Sequence, residues 1–170
     1  SGPASAPPHD HARRGPGPAP RTRHRVRTNA AAAIDVVRIG GCDPRTATLF
    51  PLVETALQIS LDAGVRYREV AAVLGLGPVG IITAMLLMRS GATVLASDPK
   101  PWRRETAQVC GLEAVEPEAL GDAVRTATRG RGADVIVEAT GNPEALSENL
   151  GLLSTEGVAI VASWYGTKPV

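Results

Sequence analysis

The sequence predicts an α/β fold, a parallel sheet doubly wound by helices, on three observations. Five short apolar runs alternate with helix-length segments between residues 65 and 170. Each run is apolar at successive positions, the pattern of strands covered on both faces. The first run, Val70 to Leu74, breaks into Gly75-Leu76-Gly77-Pro78-Val79-Gly80 and then into a long apolar segment, the layout of a strand, a tight turn and a helix.

That turn organises the chain. Gly75 lets the backbone reverse, Gly77 admits a pyrophosphate close to the backbone, and Gly80 lets the helix lie against the strand. Pro78 suits a first helical turn, where its missing donor costs nothing. The N–H groups and positive dipole end of that helix face any bound phosphate. Ile81 to Met88 is apolar nearly all round, so the helix, ending at Ser90, is expected to be buried. Gly91-Ala92 leads to a second strand, Thr93 to Ser97, which ends at Asp98. An acid about 20 residues beyond such glycines fits the adenosine ribose hydroxyls of a dinucleotide. The plainer role of Asp98 is a turn or cap residue before Pro99.

The other elements follow in order. Thr46 to Ala63 reads as a helical region: Leu49, Val53, Ala56, Leu57, Ser60 and Leu61 recur at three- and four-residue intervals, and Gly64 ends it. Pro101 to Cys110 is a helix carrying Trp102, Arg103 and Arg104, and Leu112 to Val115 a short third strand. Glu118 to Thr128 is a helix stopped by Arg129-Gly130-Arg131-Gly132. Asp134 to Ala139 is the fourth strand, turned by Thr140-Gly141-Asn142-Pro143. Pro143 to Leu153 reads as helix, Gly157 closes the turn, and Val158 to Ala162 is the fifth strand. Right-handed crossovers give the order 3-2-1-4-5. A full Rossmann sheet has a sixth strand, which is missing here, so the sequence is expected to stop mid-domain.

Ahead of this domain (65–170) lie a remnant leading into it (34–64), with a possible strand at Ile34–Ile39, and an Arg/Pro/Ala-rich tail (1–33). The tail has almost no large apolar residue and is expected to be disordered. It holds all three histidines, His9, His11 and His24, incidental on such a segment, and arginines at 21, 23, 25 and 27. An out-of-frame reading of a GC-rich region would produce this composition, and resequencing upstream of Ala30 tests that.

Apolar residues make up 44% of the chain and aromatics 3%, so the core must be aliphatic and alanine-rich. The net charge of +1 is uneven: residues 1–30 carry +5, leaving the rest at −4. A mildly acidic globular part argues against nucleic acid as a partner. Two distant cysteines, Cys42 and Cys110, make neither a disulfide framework nor a zinc cluster. With neither a membrane-length apolar run nor a signal-peptide pattern, a cytoplasmic location is expected.

Taken together, residues 46–170 resemble the cofactor domain of medium-chain, zinc-type alcohol dehydrogenases. The resemblance rests on Val73 to Gly80, on Ala96-Ser97-Asp98 with Arg103-Arg104 behind it, on Gly132 to Gly141, and on Gly157 to Gly166. It implies an oxidoreductase passing hydride between a nicotinamide and an alcohol or carbonyl. By that resemblance Gly75, Gly77, Pro78, Val79 and Gly80 would hold the pyrophosphate, Asp98 the adenosine ribose, and Arg103 would flank the adenine or ribose. Ala139 and Thr140 would line the nicotinamide-side ribose, the backbone of Ala162, Ser163 and Trp164 would meet the carboxamide, and Thr55 would stand near the nicotinamide. A carboxylate at Asp98 repels a 2′-phosphate and favours NAD, whereas Arg103 and Arg104 carry the groups that would receive one in NADP.

The family's catalytic domain, which supplies the zinc ligands, would precede this one. Cys42 stands alone, and Glu54 is the one ligand-type residue near the expected cleft, so zinc is expected only in that missing domain. The chain is expected to be truncated at both ends and inactive by itself. Two other classes stay open: a methyltransferase using S-adenosylmethionine, and a non-catalytic nucleotide-binding module. A homo-oligomer is possible through the sheet edge, and an uncovered fifth strand there would invite aggregation.

Overall fold

Five parallel strands form one sheet in the order β3-β2-β1-β4-β5, as the crossover rule predicts. The computed structural model describes residues 38–166 and, before them, Gly2 alone. The tail, its histidines and arginines, and most of the Ile34–Ile39 segment therefore lie outside the described residues; Arg38 and Ile39 have no regular structure.

The central strands are β1 (Val70–Leu74) and β2 (Thr93–Ser97), with the bounds the sequence predicts. All five β1 residues are buried, because successive side chains point to opposite faces and both faces are covered. Ala71 and Val73 join a core with Ile59, Ala63, Ala84 and Leu87, which come from helices α2 (Phe50–Ala63) and α3 (Pro78–Arg89). Val70, Ala72 and Leu74 join the opposite core, with Leu120 and Val124 from α5 (Pro117–Thr128). Alanine at two of five β1 positions lets helices come close on both sides.

Elsewhere the structure corrects the sequence reading. The first helical region is two helices, α1 (Pro44–Ala47) and α2. Pro51 lacks an N–H and its ring would strike the Ala47 carbonyl, so one continuous helix is excluded. The buried side of α2 is Ala56, Ile59 and Ala63, while Leu49, Val53, Leu57 and Leu61 are exposed. Two apolar stripes share that helix, and the one with small residues packs. Gly64 caps it in the left-handed conformation at φ 57°, as expected. In α3, Gly80, Thr83, Ala84 and Leu87 are buried, but Met88 is exposed.

Helix α4 (Pro101–Val109) leads into β3 (Glu113–Val115), and β4 (Ala133–Glu138) starts and ends one residue earlier than predicted. Helix α6 stops at Asn149 after starting at Pro143, and a 3₁₀ turn, Leu150–Leu152, replaces its expected last turn around Gly151. Strand β5 then runs from Leu153 to Val161, not from Val158. Its pairing steps from Ala133–Leu153 to Val135–Val158, so residues 154–157 bulge opposite Asp134, with Glu156 at φ 65°. The expected turn at Gly157 is this bulge. β5 is also an edge strand with Val158 and Val161 about half exposed, so it is not apolar and covered on both faces.

Candidate functional site

The strand order reverses between β1 and β4, and a crevice outside their carboxyl ends is where open α/β sheets take ligands. The glycine turn closes this crevice tightly on one side. Gly75 sits at φ 90°, and a Cβ there would lie 2.7 Å from the Ala139 carbonyl oxygen. At Gly80 a Cβ would fall 2.0 Å from the Gly75 carbonyl oxygen, so only glycine lets α3 start this close to β1. Gly77 differs: a Cβ there would meet nothing within 4 Å. Bare backbone therefore opens to space at the N-terminus of a twelve-residue helix, with Gly77 as its cap and Pro78 in its first turn. The Val79 and Gly80 N–H groups have no preceding turn to bond. That combination fits a diphosphate.

Asp98, at the end of β2, is buried and faces this turn. It accepts from the Leu76 N–H at 2.9 Å, the Lys100 N–H at 2.8 Å and Arg103 Nη1 at 3.1 Å. Burial alone would raise its pKa, but these donors outweigh burial and hold the carboxyl below its ordinary value. Asp98 thus serves both as the turn residue of the plainer reading and as an anchor for the glycine loop. The Arg103 guanidinium also stacks 5.2 Å from the Trp102 ring centre, and its buried Nε has no partner. Arg104 is committed elsewhere, donating to the Asp98 and Pro99 carbonyls and to Glu116.

At the end of β4 the structure holds a cluster that the sequence reading missed. Glu138 is fully buried, and it forms no ion pair among the described residues. Its Oε1 accepts from the Thr140 N–H at 2.5 Å, the Thr140 hydroxyl, the Gly141 N–H at 3.2 Å and the Ser163 hydroxyl at 3.2 Å. Its Oε2 accepts from the Tyr165 hydroxyl at 2.6 Å. Burial works to raise the Glu138 pKa, but the Thr140, Tyr165 and Ser163 donors prevail and keep it low. Tyr165 is pushed up to about 12, first by burial and then by the carboxylate it donates to. The available signal was an acid inside the apolar run Val135-Ile136-Val137-Glu138-Ala139, since a buried charge needs partners.

These contacts bring most of the sequence-predicted residues to one edge. The Gly75 and Gly80 backbone abuts Ala139 and Thr140, and the Gly141 N–H donates to the Ser163 hydroxyl at 2.8 Å. The Ala162 N–H donates to the Glu138 carbonyl at 2.8 Å. Trp164 is 89% exposed. Thr55 is not drawn in by its hydroxyl, which donates to the Pro51 carbonyl of its own helix at 2.9 Å. Glu54 is exposed on α2. A separate polar cleft of about 320 Å³, lined by Arg66, Glu69, Asp134 and Glu156 among others, lies at the amino ends of β1 and β4, away from the glycine turn.

A family model described as zinc-binding dehydrogenase matches residues 78–170, more than half of the chain. The chain belongs to that family. Among curated relatives of this zinc-binding dehydrogenase chain, the D-guloside 3-dehydrogenase of Escherichia coli is 32% identical over 121 residues, 69% of this chain and 35% of the relative. The L-threonine 3-dehydrogenase of Caldanaerobacter subterraneus is 36% identical over 90 residues, 51% of this chain and 26% of the relative. Among solved structures, alcohol dehydrogenase TADH from Thermus sp. ATN1 superposes with a TM-score of 0.63 at 29% identity, covering 69% of this chain and 36% of that one. A Sinorhizobium meliloti structure described as a zinc-binding dehydrogenase, bound to NADP, gives 0.58 at 28% identity over 66% and 34%. The chain thus spans about a third of the length of these relatives.

Family membership sets aside the methyltransferase alternative. The family name also implies zinc, which the described residues do not fit. Among them no three His, Cys, Asp or Glu side chains converge, and Cys42 and Cys110 are free. Among the described residues no helix is long and apolar enough to cross a membrane.

Proposed function

We propose that this chain supplies the cofactor-binding part of an oxidoreductase that passes hydride between NAD(H) and a small alcohol or carbonyl substrate. Residues 65–170 are the dinucleotide-binding domain and residues 34–64 lead into it. The observation that carries the reading is the joint between Asp98 and the glycine turn. A buried carboxylate, held ionised, bonds the loop whose bare backbone opens at the N-terminus of α3. The nicotinamide, when bound, would supply the hydride acceptor or donor. This chain's residues would bind and orient: Gly75, Gly77, Pro78, Val79 and Gly80 at the diphosphate, Asp98 and Arg103 at the adenosine, Ala139 and Thr140 at the second ribose, and Ala162, Ser163 and Trp164 at the carboxamide. Thr55, with its hydroxyl proton given to Pro51, would meet the nicotinamide only as an acceptor while that bond holds.

NAD is favoured over NADP because a 2′-phosphate would meet the Asp98 carboxylate while Arg104 is held by Pro99 and Glu116. The test is a titration with NADH and NADPH beside Asp98→Ala. Saturable NADH binding, tighter than NADPH and weakened about tenfold or more by the substitution, is expected. Equal binding of NADH by the substituted chain overturns the assignment. A second copy would pair along the β5 edge, where Val158 and Val161 are exposed. A monodisperse monomer in light scattering counts against that pairing. A cytoplasmic location is part of the same reading.

A further inference from the structure

We propose that Glu138 is the positioning residue for the nicotinamide end of the site: its carboxylate fastens the loop after β4 to the loop after β5, so that Thr140, Gly141 and Ser163 present one continuous surface. The inference rests on the cofactor-domain reading above. The backbone ladder between the two strands ends at Glu138–Val161, with one further bond from the Ala162 N–H to the Glu138 carbonyl. Beyond it, among the described residues, every hydrogen bond between the loops runs through the Glu138 side chain or Ser163. Two backbone N–H groups and three hydroxyls converge on that one carboxylate.

An ionised carboxylate is acceptor-only, with two oxygens and roughly four lone-pair sites, so it receives these donors without a hydrogen of its own among them. Alanine would take the acceptor from the Thr140 N–H and from the Ser163 and Tyr165 hydroxyls, and leave the Gly141 N–H to Ser163 hydroxyl bond as the one direct tie between the loops among the described residues. Glutamine has the same shape and keeps one oxygen toward Thr140, Gly141 and Ser163. Its amide then donates to the Tyr165 hydroxyl, which can accept. The two substitutions therefore separate the carboxyl's shape from its loss. Asp98, at the other end of the groove, keeps its own bonds to the Leu76 and Lys100 N–H groups in both variants.

The test compares AMP, ADP-ribose and NADH binding by the full chain with Glu138→Ala and Glu138→Gln. ADP-ribose lacks only the nicotinamide, so the ratio of NADH to ADP-ribose affinity reads the end in question. Glu138→Ala is expected to cut that ratio about tenfold and leave AMP within about twofold, and Glu138→Gln to restore it within about threefold. A parallel loss of AMP, ADP-ribose and NADH overturns the inference, because it describes a residue that only supports the fold, and unchanged binding of all three overturns it too, because the loops then hold their surface without the carboxylate. If Glu138→Ala does not fold, Ser163→Ala with Tyr165→Phe decides in its place, on the same ratio and with the same overturning results. Failure of the unsubstituted chain to bind AMP or NADH sinks the cofactor-domain reading itself, and the inference with it.

Discussion

Strand β4 carries a carboxylate near each end, and the two are handled in opposite ways. Asp134, near its start, pairs with Arg131 on the surface and accepts from the Val70 N–H at 2.8 Å. Arg131 lowers the Asp134 pKa against the opposing effect of burial. Glu138, at its end, is fully buried and, among the described residues, is held by amides and hydroxyls. A surface ion pair is screened by solvent and adds little, whereas a buried, multiply bonded carboxylate is costly to disturb. One end of the strand therefore tolerates change, and the other fixes the loops around it.

The largest test of that contrast is the loss of Glu138. Glu138→Ala is expected to lower stability by at least about 3 kcal/mol, because several part-buried donors lose the buried carboxylate they share. The corresponding fall in Tm is roughly 6 °C or more. Asp134→Ala, which orphans one N–H, should cost about 1 kcal/mol. Equal losses by calorimetry would show that the two ends are not different in kind.

Acid sharpens the same comparison. The Asp98 and Glu138 pKa values are lower in the folded chain than when unfolded. Their stabilisation is complete above the ordinary carboxylate range and disappears as pH falls through their folded values. Asp134 is lowered too, but its ion-pair part should fade in 1 M salt, where the screening length is about 3 Å. Melting curves from about pH 6 to 3, at low and high salt, should show the Asp134→Asn difference shrinking while the Glu138→Gln difference persists. A shared salt response would break the distinction.

A smaller effect lies at the alkaline side. With Tyr165 raised from 10.0 to about 12, the folded state favours the neutral phenol. That stabilisation is present below pH 10 and is lost as pH rises through 12. A tyrosinate absorbance titration compared with Tyr165→Phe should assign the late step, and the substitution itself should cost about 1 kcal/mol. Least of all, Arg131→Ala should leave Tm within error, a null result that a shift of several degrees would contradict.

Much of this architecture was legible because it is local. The runs Val70–Leu74 and Thr93–Ser97, and the glycine spacing after the first, specify strand, turn and helix within a few residues of themselves. Asp98 was legible as the residue that closes the second strand, though its bond to Leu76 was not. The break before α2 is also written in the sequence, in Pro51, although the apolar periodicity of residues 46–63 runs across it. What stayed hidden depends on residues far apart. The start of β5 is set by Leu153 pairing with Ala133 across a bulge. The packed face of α2 is chosen by how closely α3 approaches, which favours Ala56 and Ala63 over Leu57 and Leu61. The Glu138 cluster needs Ser163 and Tyr165 brought across from the end of β5, which no local pattern in either segment announces.

The two tryptophans give the molecule its own optical readout. The sequence has only Trp102 and Trp164. Trp102 sits beside Arg103 at the Asp98 end, and Trp164 follows Ser163 at the Glu138 end. Indole emission overlaps the absorption band of a reduced nicotinamide, so each ring acts as an energy donor stationed at a different end of the proposed groove. Chains keeping one indole each, through Trp102→Phe or Trp164→Phe, would report the orientation of a bound dinucleotide by the ratio of their quenching, with no label added.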